Sequence, residues 1–167
     1  MEYLISKQGW DIPPLIFFKE KIMGKYKMIQ LTNGTIGAVI ANALIPLGVV
    51  TRKIACGNTN DTFEVASSKA DTIILNEAGY YKITYTSTFV ATNAGISNLS
   101  LLANSSVVNE VGATVLAGAT VELSLTYFVR VYPQCNNTSN NLPMTIQIQS
   151  NDDITSGIGN LIIEKLY

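Results

Sequence analysis

Histidine is absent from this 167-residue chain, cysteine occurs twice, tryptophan once, and charged residues make up only 14% of the sequence. Without histidine the chain lacks the commonest general base and the commonest metal ligand. Serine nucleophiles have no imidazole partner. Cys56 and Cys135 lie far apart with no Cys-x-x-Cys spacing, so no metal knot is indicated, and two free thiols is the default reading. With a net charge of −1 and no basic stripe, nucleic acid is not an expected partner, because neutralising phosphates takes clustered Lys or Arg. The apolar run from Ile36 to Val50 is short and carries Asn42, Pro46 and two glycines, so no membrane span is expected. The N-terminus has no charged region followed by an apolar stretch and a small-residue cleavage site. No phosphate-binding or dinucleotide glycine pattern occurs. The adjacent pair Asp152-Asp153 reads as turn chemistry, since neighbouring carboxylates on a turn point apart. These absences lead to the expectation of a protein that is not an enzyme and carries no cofactor and no metal.

What is present is apolar residues, 47% of the chain, in a period of two. In Gly79–Phe89, GYYKITYTSTF, Tyr81, Ile83, Tyr85 and Phe89 fall on one face and Lys82, Thr84, Thr86 and Thr88 on the other. That is a strand with one buried and one polar face. Thr120–Tyr132 alternates as well, with Val121, Leu123, Leu125, Tyr127, Val129 and Val131 in phase. Further strands are read at Ile45–Ala55, Thr62–Ala66, Thr72–Asn76, Ile96–Ala103, Val107–Val111, Leu142–Gln149 and Gly159–Leu166, with a flexible Gly112–Gly118 connection and a turn over Asn151–Gly159. Residues 29–43 fit a strand, a short helix or a seam. Eight to ten short strands without a convincing helix predict an antiparallel sandwich or barrel.

Residues 1–28 differ in kind. They hold the tryptophan, a Pro13-Pro14 pair, and five lysines against three acids. The proline pair blocks a continuous helix. The segment is read as an extended docking arm whose apolar Trp10, Leu15, Phe17 and Phe18 need a partner surface. Met23 and Met28 stand as alternative starts, with Lys19-Glu20 as the coding trace of a ribosome-binding site. The expected division is an arm over 1–43 and a head over 44–167.

Three strands carry apolar residues on the face that should be wet: Tyr80 and Val90, Phe128 and Tyr132, and Ile162 and Leu166. A monomeric sandwich keeps such positions polar. If the three strands are neighbours, they form a subunit interface, and these six residues are the candidate trimer contact.

The phrase NEAGYYKITYTSTF, then LLANSSVV, then LAGATVELSLTYFV, then a closing GNLIIEKLY resembles the compact trimeric jelly roll of tumour-necrosis-factor ligands and of the globular heads of complement and collagen-like proteins. Gly79-Tyr80-Tyr81 matches the turn that opens the long central strand, and Leu161, Ile163 and Leu166 match the last strand. Leu116-Ala117-Gly118-Ala119 keeps the family's glycine and lacks its aspartate. The run IPLGVVTRKI, with Cys56 after it and Cys135 in a late loop, is similar to small proteins of Firmicute spores and of bacteriophage virions. The resemblance covers about Leu44–Tyr167. It implies an all-β, TNF-like jelly roll that forms a homotrimer. In a phage setting it implies a capsid decoration protein or head fibre, assembled in the host cytoplasm and located in the virion. Its partners would then be itself, capsid or other virion proteins and, through the polar loops Asn58–Asp61 and Cys135–Asn141, host-surface glycans. The alternatives are a tail-fibre or baseplate receptor-binding head, or a spore-surface protein; the latter usually carries a collagen-like stalk that this chain lacks.

Overall fold

The computed structural model describes residues 26–54, 62–66, 70–132 and 142–166. Ten strands account for most of them: β1 Lys27–Ile36, β2 Val49–Ile54, β3 Phe63–Val65, β4 Thr72–Leu75, β5 Gly79–Ala91, β6 Gly95–Ala103, β7 Ser106–Val115, β8 Thr120–Val131, β9 Met144–Ser150 and β10 Ile154–Lys165. They form two antiparallel five-stranded sheets, a front sheet β2-β1-β10-β5-β8 and a back sheet β3-β4-β9-β6-β7. The fold is an all-β jelly-roll sandwich, as the alternation predicts.

Each long strand sends one phase of its side chains between the sheets. On β5 these are Tyr81, Ile83, Tyr85, Ser87, Phe89 and Ala91, all buried. Across the ladder to β10, Ile83 faces Ile163 and Tyr85 faces Leu161. From the back sheet Leu99, Leu101, Ile146 and Ile148 close on the same core. Burial of this kind contributes about 1.5–3 kcal/mol per large apolar side chain. Gly159 makes room for it: a Cβ there would stand 2.6 Å from Tyr85 Oη. Gly48 is held at φ +85°, where a Cβ would collide with the Thr32 carbonyl, so only glycine fits the approach to β2.

Four boundaries differ from the sequence reading. The strand expected from Ile45 begins only at Val49, after Pro46 and Gly48. Residues 27–36 belong to the head, not to an arm ending at 43. β1 lies between β2 and β10, with Ile29 and Leu31 in the core. Its apolar residues look unpatterned in sequence because Met28, on the opposite phase, is buried too. The Gly112–Gly118 connection begins later than expected, since β7 continues to Val115 in register with Gly95 of β6. Likewise β10 begins at Ile154, so most of the turn expected over 151–159 is strand. Small residues hid both stretches by diluting the alternation.

The strand directions put one set of connections at each end. The base holds Tyr26, the Glu77–Gly79 turn, the Asn104-Ser105 turn and the end of β10. The tip holds the turns after β1, β5, β7 and β9.

Candidate functional site

The outer face of the front sheet carries exposed apolar residues, Tyr80, Phe128, Tyr132, Ile158 and Leu166 among them, while Ile40, Ile96, Val107 and Leu116 are exposed elsewhere. β10, β5 and β8 are adjacent, so the six candidate contact residues share one face. They do not form one patch. Tyr80 opens β5 and lies opposite Arg130 of β8. One step along, Phe128 lies opposite Lys82. The amide of Leu166 donates to the Tyr80 carbonyl at 2.8 Å. Tyr132 follows the end of β8. These four cluster at the base, where Phe128 is 62% exposed. Ile162 lies one row higher, opposite Thr84, and is half-buried. Val90 is ten residues further along β5, about 33 Å from Tyr80 at strand rise, and belongs to the other end.

Arg130, which the sequence reading passed over, organises the base. Its guanidinium carbon lies 5.4 Å from the Tyr80 ring centre and 5.9 Å from that of Tyr132. Both distances are within cation–π range. It occupies the same phase as Phe128 and Tyr132, and that alternation was the available signal. Tyr80, Tyr81, Phe128, Val129, Arg130 and Leu166 line a groove of about 430 Å3. At the other end of the face two further hollows, of about 210 and 290 Å3, are lined by threonines together with Glu122, Asn160 and the apolar Phe89, Val90 and Ile158. Between the two ends the face is a polar ladder: Gln30 Nε2 donates to Asn160 Oδ1 at 2.9 Å, and Thr32 Oγ1 lies 3.2 Å from Thr51 Oγ1. The face is aromatic at the base and mixed towards the tip, where threonines alternate with Val90 and Ile158.

Beneath the base the sandwich is closed by charge. Lys27 and Lys165 are partners in the β1–β10 ladder, 5% and 7% exposed. Both reach one carboxylate: Glu77 Oε2 is 2.6 Å from Lys27 Nζ, and Glu77 Oε1 is 2.7 Å from Lys165 Nζ. Thr62 Oγ1 accepts from Lys27 Nζ at 2.9 Å and donates to Glu77 at 2.6 Å. Tyr81 Oη donates to the Glu77 carbonyl at 2.6 Å. Burial alone would raise the Glu77 pKa, but hydrogen bonds from Lys165, Lys27 and Thr62 outweigh it and bring the group down to about 2. Burial first, and then the Glu77 charge, push the Tyr81 phenol up. This cluster binds the start of β1, the β4–β5 turn and the end of β10 to one another.

The pair Asp152-Asp153 sits in the β9–β10 turn. Asp153 Oδ1 accepts from the Ala41 amide at 2.8 Å, and Asn93 Nδ2 approaches Asp153 Oδ2 at 3.3 Å. Among the described residues no group of three His, Cys, Asp or Glu is placed to hold a metal ion, and no helix is long and apolar enough to cross a membrane. The docking-arm residues Trp10, Leu15, Phe17 and Phe18, both cysteines, and the loops over 58–61 and 135–141 lie outside the described residues.

No protein-family model and no curated protein sequence matches this chain. Solved structures do. The globular domain of zebrafish complement 1qA superposes with a TM-score of 0.61 at 9% identity, over 84% of this chain and 98% of that one. Murine APRIL gives 0.60 at 9% identity, over 85% and 100%. The PRD1 vertex protein P5 gives 0.54 at 18% identity, over 84% and 73%. The head therefore has the fold of the TNF-like and complement globular heads. At these identities the likeness concerns fold alone.

Proposed function

We propose that the chain is a bacteriophage virion structural protein, a homotrimeric capsid decoration protein or head fibre that docks through its N-terminal arm. The observation that carries this reading is the base of the front sheet. Tyr80, Phe128, Tyr132 and Leu166 lie together and exposed at the base end of the β10-β5-β8 face. A face with aromatic residues around one arginine has the composition of an interface core. The occurrence of the same fold in the PRD1 vertex protein P5 supports a virion setting. The role is structural, not catalytic: the arm docks, identical heads associate through the front sheet, and the tips point away. Valency multiplies weak arm contacts into stable attachment.

Mass measurement by light scattering on the full chain tests the assembly. Three chains per particle is the expected result, and a monomer at micromolar concentration overturns it. Virion incorporation tests the setting. Deleting residues 1–25 is expected to abolish incorporation while leaving the head folded, and undiminished incorporation overturns docking by the arm.

A further inference from the structure

The outer face of the back sheet, which association through the front sheet leaves free, holds one carboxylate in a built setting. We propose that Glu110, Asn98 and Asn151, with the exposed Ile96 beside them, form a binding site for a neutral saccharide on the tip half of that face.

The ladder brings these residues together. On β6 the phase opposite to Leu99 and Leu101 points outward, and there Asn98 lies opposite Gly112 and Ser100 opposite Glu110 of β7. On its other side Ser100 lies opposite Gln149 of β9, and Asn151 follows the end of that strand. Asn98 Nδ2 and Asn151 Nδ2 both donate to Glu110 Oε1, at 2.9 and 2.8 Å. Asn151 is itself steadied: its amide donates to the Asn98 carbonyl at 3.1 Å, and Ser100 Oγ donates to its Oδ1 at 3.4 Å. Gly112 makes this possible, since a Cβ there would collide with Asn98 Oδ1. Glycine inside a strand weakens it and often marks a close approach by a ligand. Glu110 Oε2 receives no hydrogen bond among the described residues. An acceptor therefore faces outward beside two side-chain amides, each with a second N–H. A pyranose offers the complement. Its neighbouring hydroxyls each donate and accept, and its apolar C–H face suits Ile96, exposed two residues along the same phase. A few convergent polar groups beside apolar surface is the make-up of small-ligand sites. Charge narrows the class further. Among the described residues the back-sheet strands and the tip turns contain no Lys or Arg, against Glu64, Glu110, Asp152 and Asp153. An acidic sugar or a phosphate group is repelled by such a surface. A guanidinium fork is poorly served as well, because it takes both carboxylate oxygens and Oε1 already accepts twice.

The inference gives the projecting end of the head a ligand. It deepens the virion reading and rests on it for the setting alone, since the site needs neither arm nor trimer. Saturation-transfer NMR on the full chain tests it, with methyl glucoside, methyl galactoside and diacetylchitobiose as probes. Saturable transfer to at least one of them in the millimolar range is expected. Methyl glucuronide, the glucoside ring with a carboxylate added, is expected to bind more weakly than methyl glucoside. Glu110→Gln keeps an acceptor for both asparagines and replaces the outward oxygen by a donor. It is expected to melt as the parent does and to bind about tenfold more weakly, the worth of one hydrogen bond to a charged group. Gly112→Ala, which displaces Asn98, is expected to weaken binding too, and Glu64→Gln, elsewhere on the same sheet, to leave it unchanged. Silence with all three probes overturns the site, as does binding that Glu110→Gln leaves intact. A triarginine peptide that binds in a salt-dependent, Glu110-dependent way while the sugars stay silent overturns the saccharide and assigns a basic partner instead. Light scattering on the same samples separates the two readings. Three chains per particle without saccharide binding removes the site alone; a monomer whose saccharide binding is weakened by Glu110→Gln removes the trimer alone.

Discussion

Glu77 balances two buried ammonium groups, so its removal leaves an uncompensated charge inside the base. Glu77→Gln is expected to destabilise the head by about 1–3 kcal/mol, below the range for fully buried pairs because the carboxylate is partly exposed to solvent. Urea unfolding at neutral pH measures it. The pH dependence has a definite sign. The carboxyl is held at about 2 in the folded chain against 4.5 ordinarily, so its stabilisation is complete above the ordinary value and is lost as pH falls towards 2. The Gln variant is expected to lack that portion of the acid transition. Tyr85 gives the opposite expectation. Its hydroxyl is buried and has no hydrogen bond of good geometry among the described residues, Ser87 offering only a weak one, and burial pushes its pKa up to about 12. Tyr85→Phe is therefore expected to be neutral or stabilising by up to about 1 kcal/mol. Gly159→Ala, which drives a methyl group against the same ring, is expected to cost about 1–3 kcal/mol. None of these roles was legible in the sequence. A lysine at a strand end looks like a solvated charge until its ladder partner proves to be a second lysine, and a glycine in a strand looks like a weak spot until the ring beside it is placed.

At the scale of elements, β5 and β8 were read almost to the residue. Their alternation is nearly undiluted, with large side chains at every inward position except Ser87 and Ala91 of β5. β1, β7 and the first half of β10 were not, because glycine, alanine and threonine carry little hydrophobic contrast and because β1 buries both phases at Met28 and Ile29. Strand adjacency was inferred only conditionally: three apolar outer faces make one surface if the strands are neighbours, and they are. What one-dimensional periodicity could not resolve is position along the strands, which separates Val90 from the other five. The same layout orders local stability. β5 is paired on both sides along nearly its whole length, whereas β2, β3, β7 and β8 are sheet edges, β2 and β3 being the shortest of the four. Amide exchange is expected to be slowest in β5 and β10 and fastest in β2 and β3. Equal protection across the front sheet would contradict this order.

For the whole molecule, the clustering of exposed aromatic residues at the base of the front sheet gives the head a polarity. If identical heads associate through the front sheet, the contact is driven at the base and merely wetted above it. Charge placed at the base should then separate the subunits, while charge at the far end should not. Phe128→Asp is expected to give a folded monomer by light scattering, and Thr88→Asp to retain the assembly; the reverse result would relocate the contact.

The position of β1 has a mechanical consequence. The chain that leads from the arm does not join the head at a sheet edge. It enters as a strand between two neighbours, pinned at its first residue by Glu77. Antiparallel ladder bonds run perpendicular to the strands, so a pull on the arm away from the base loads the β1–β2 and β1–β10 bonds in shear, together, instead of unzipping them one by one. A head tethered in this way resists load along its own axis far better than load across it.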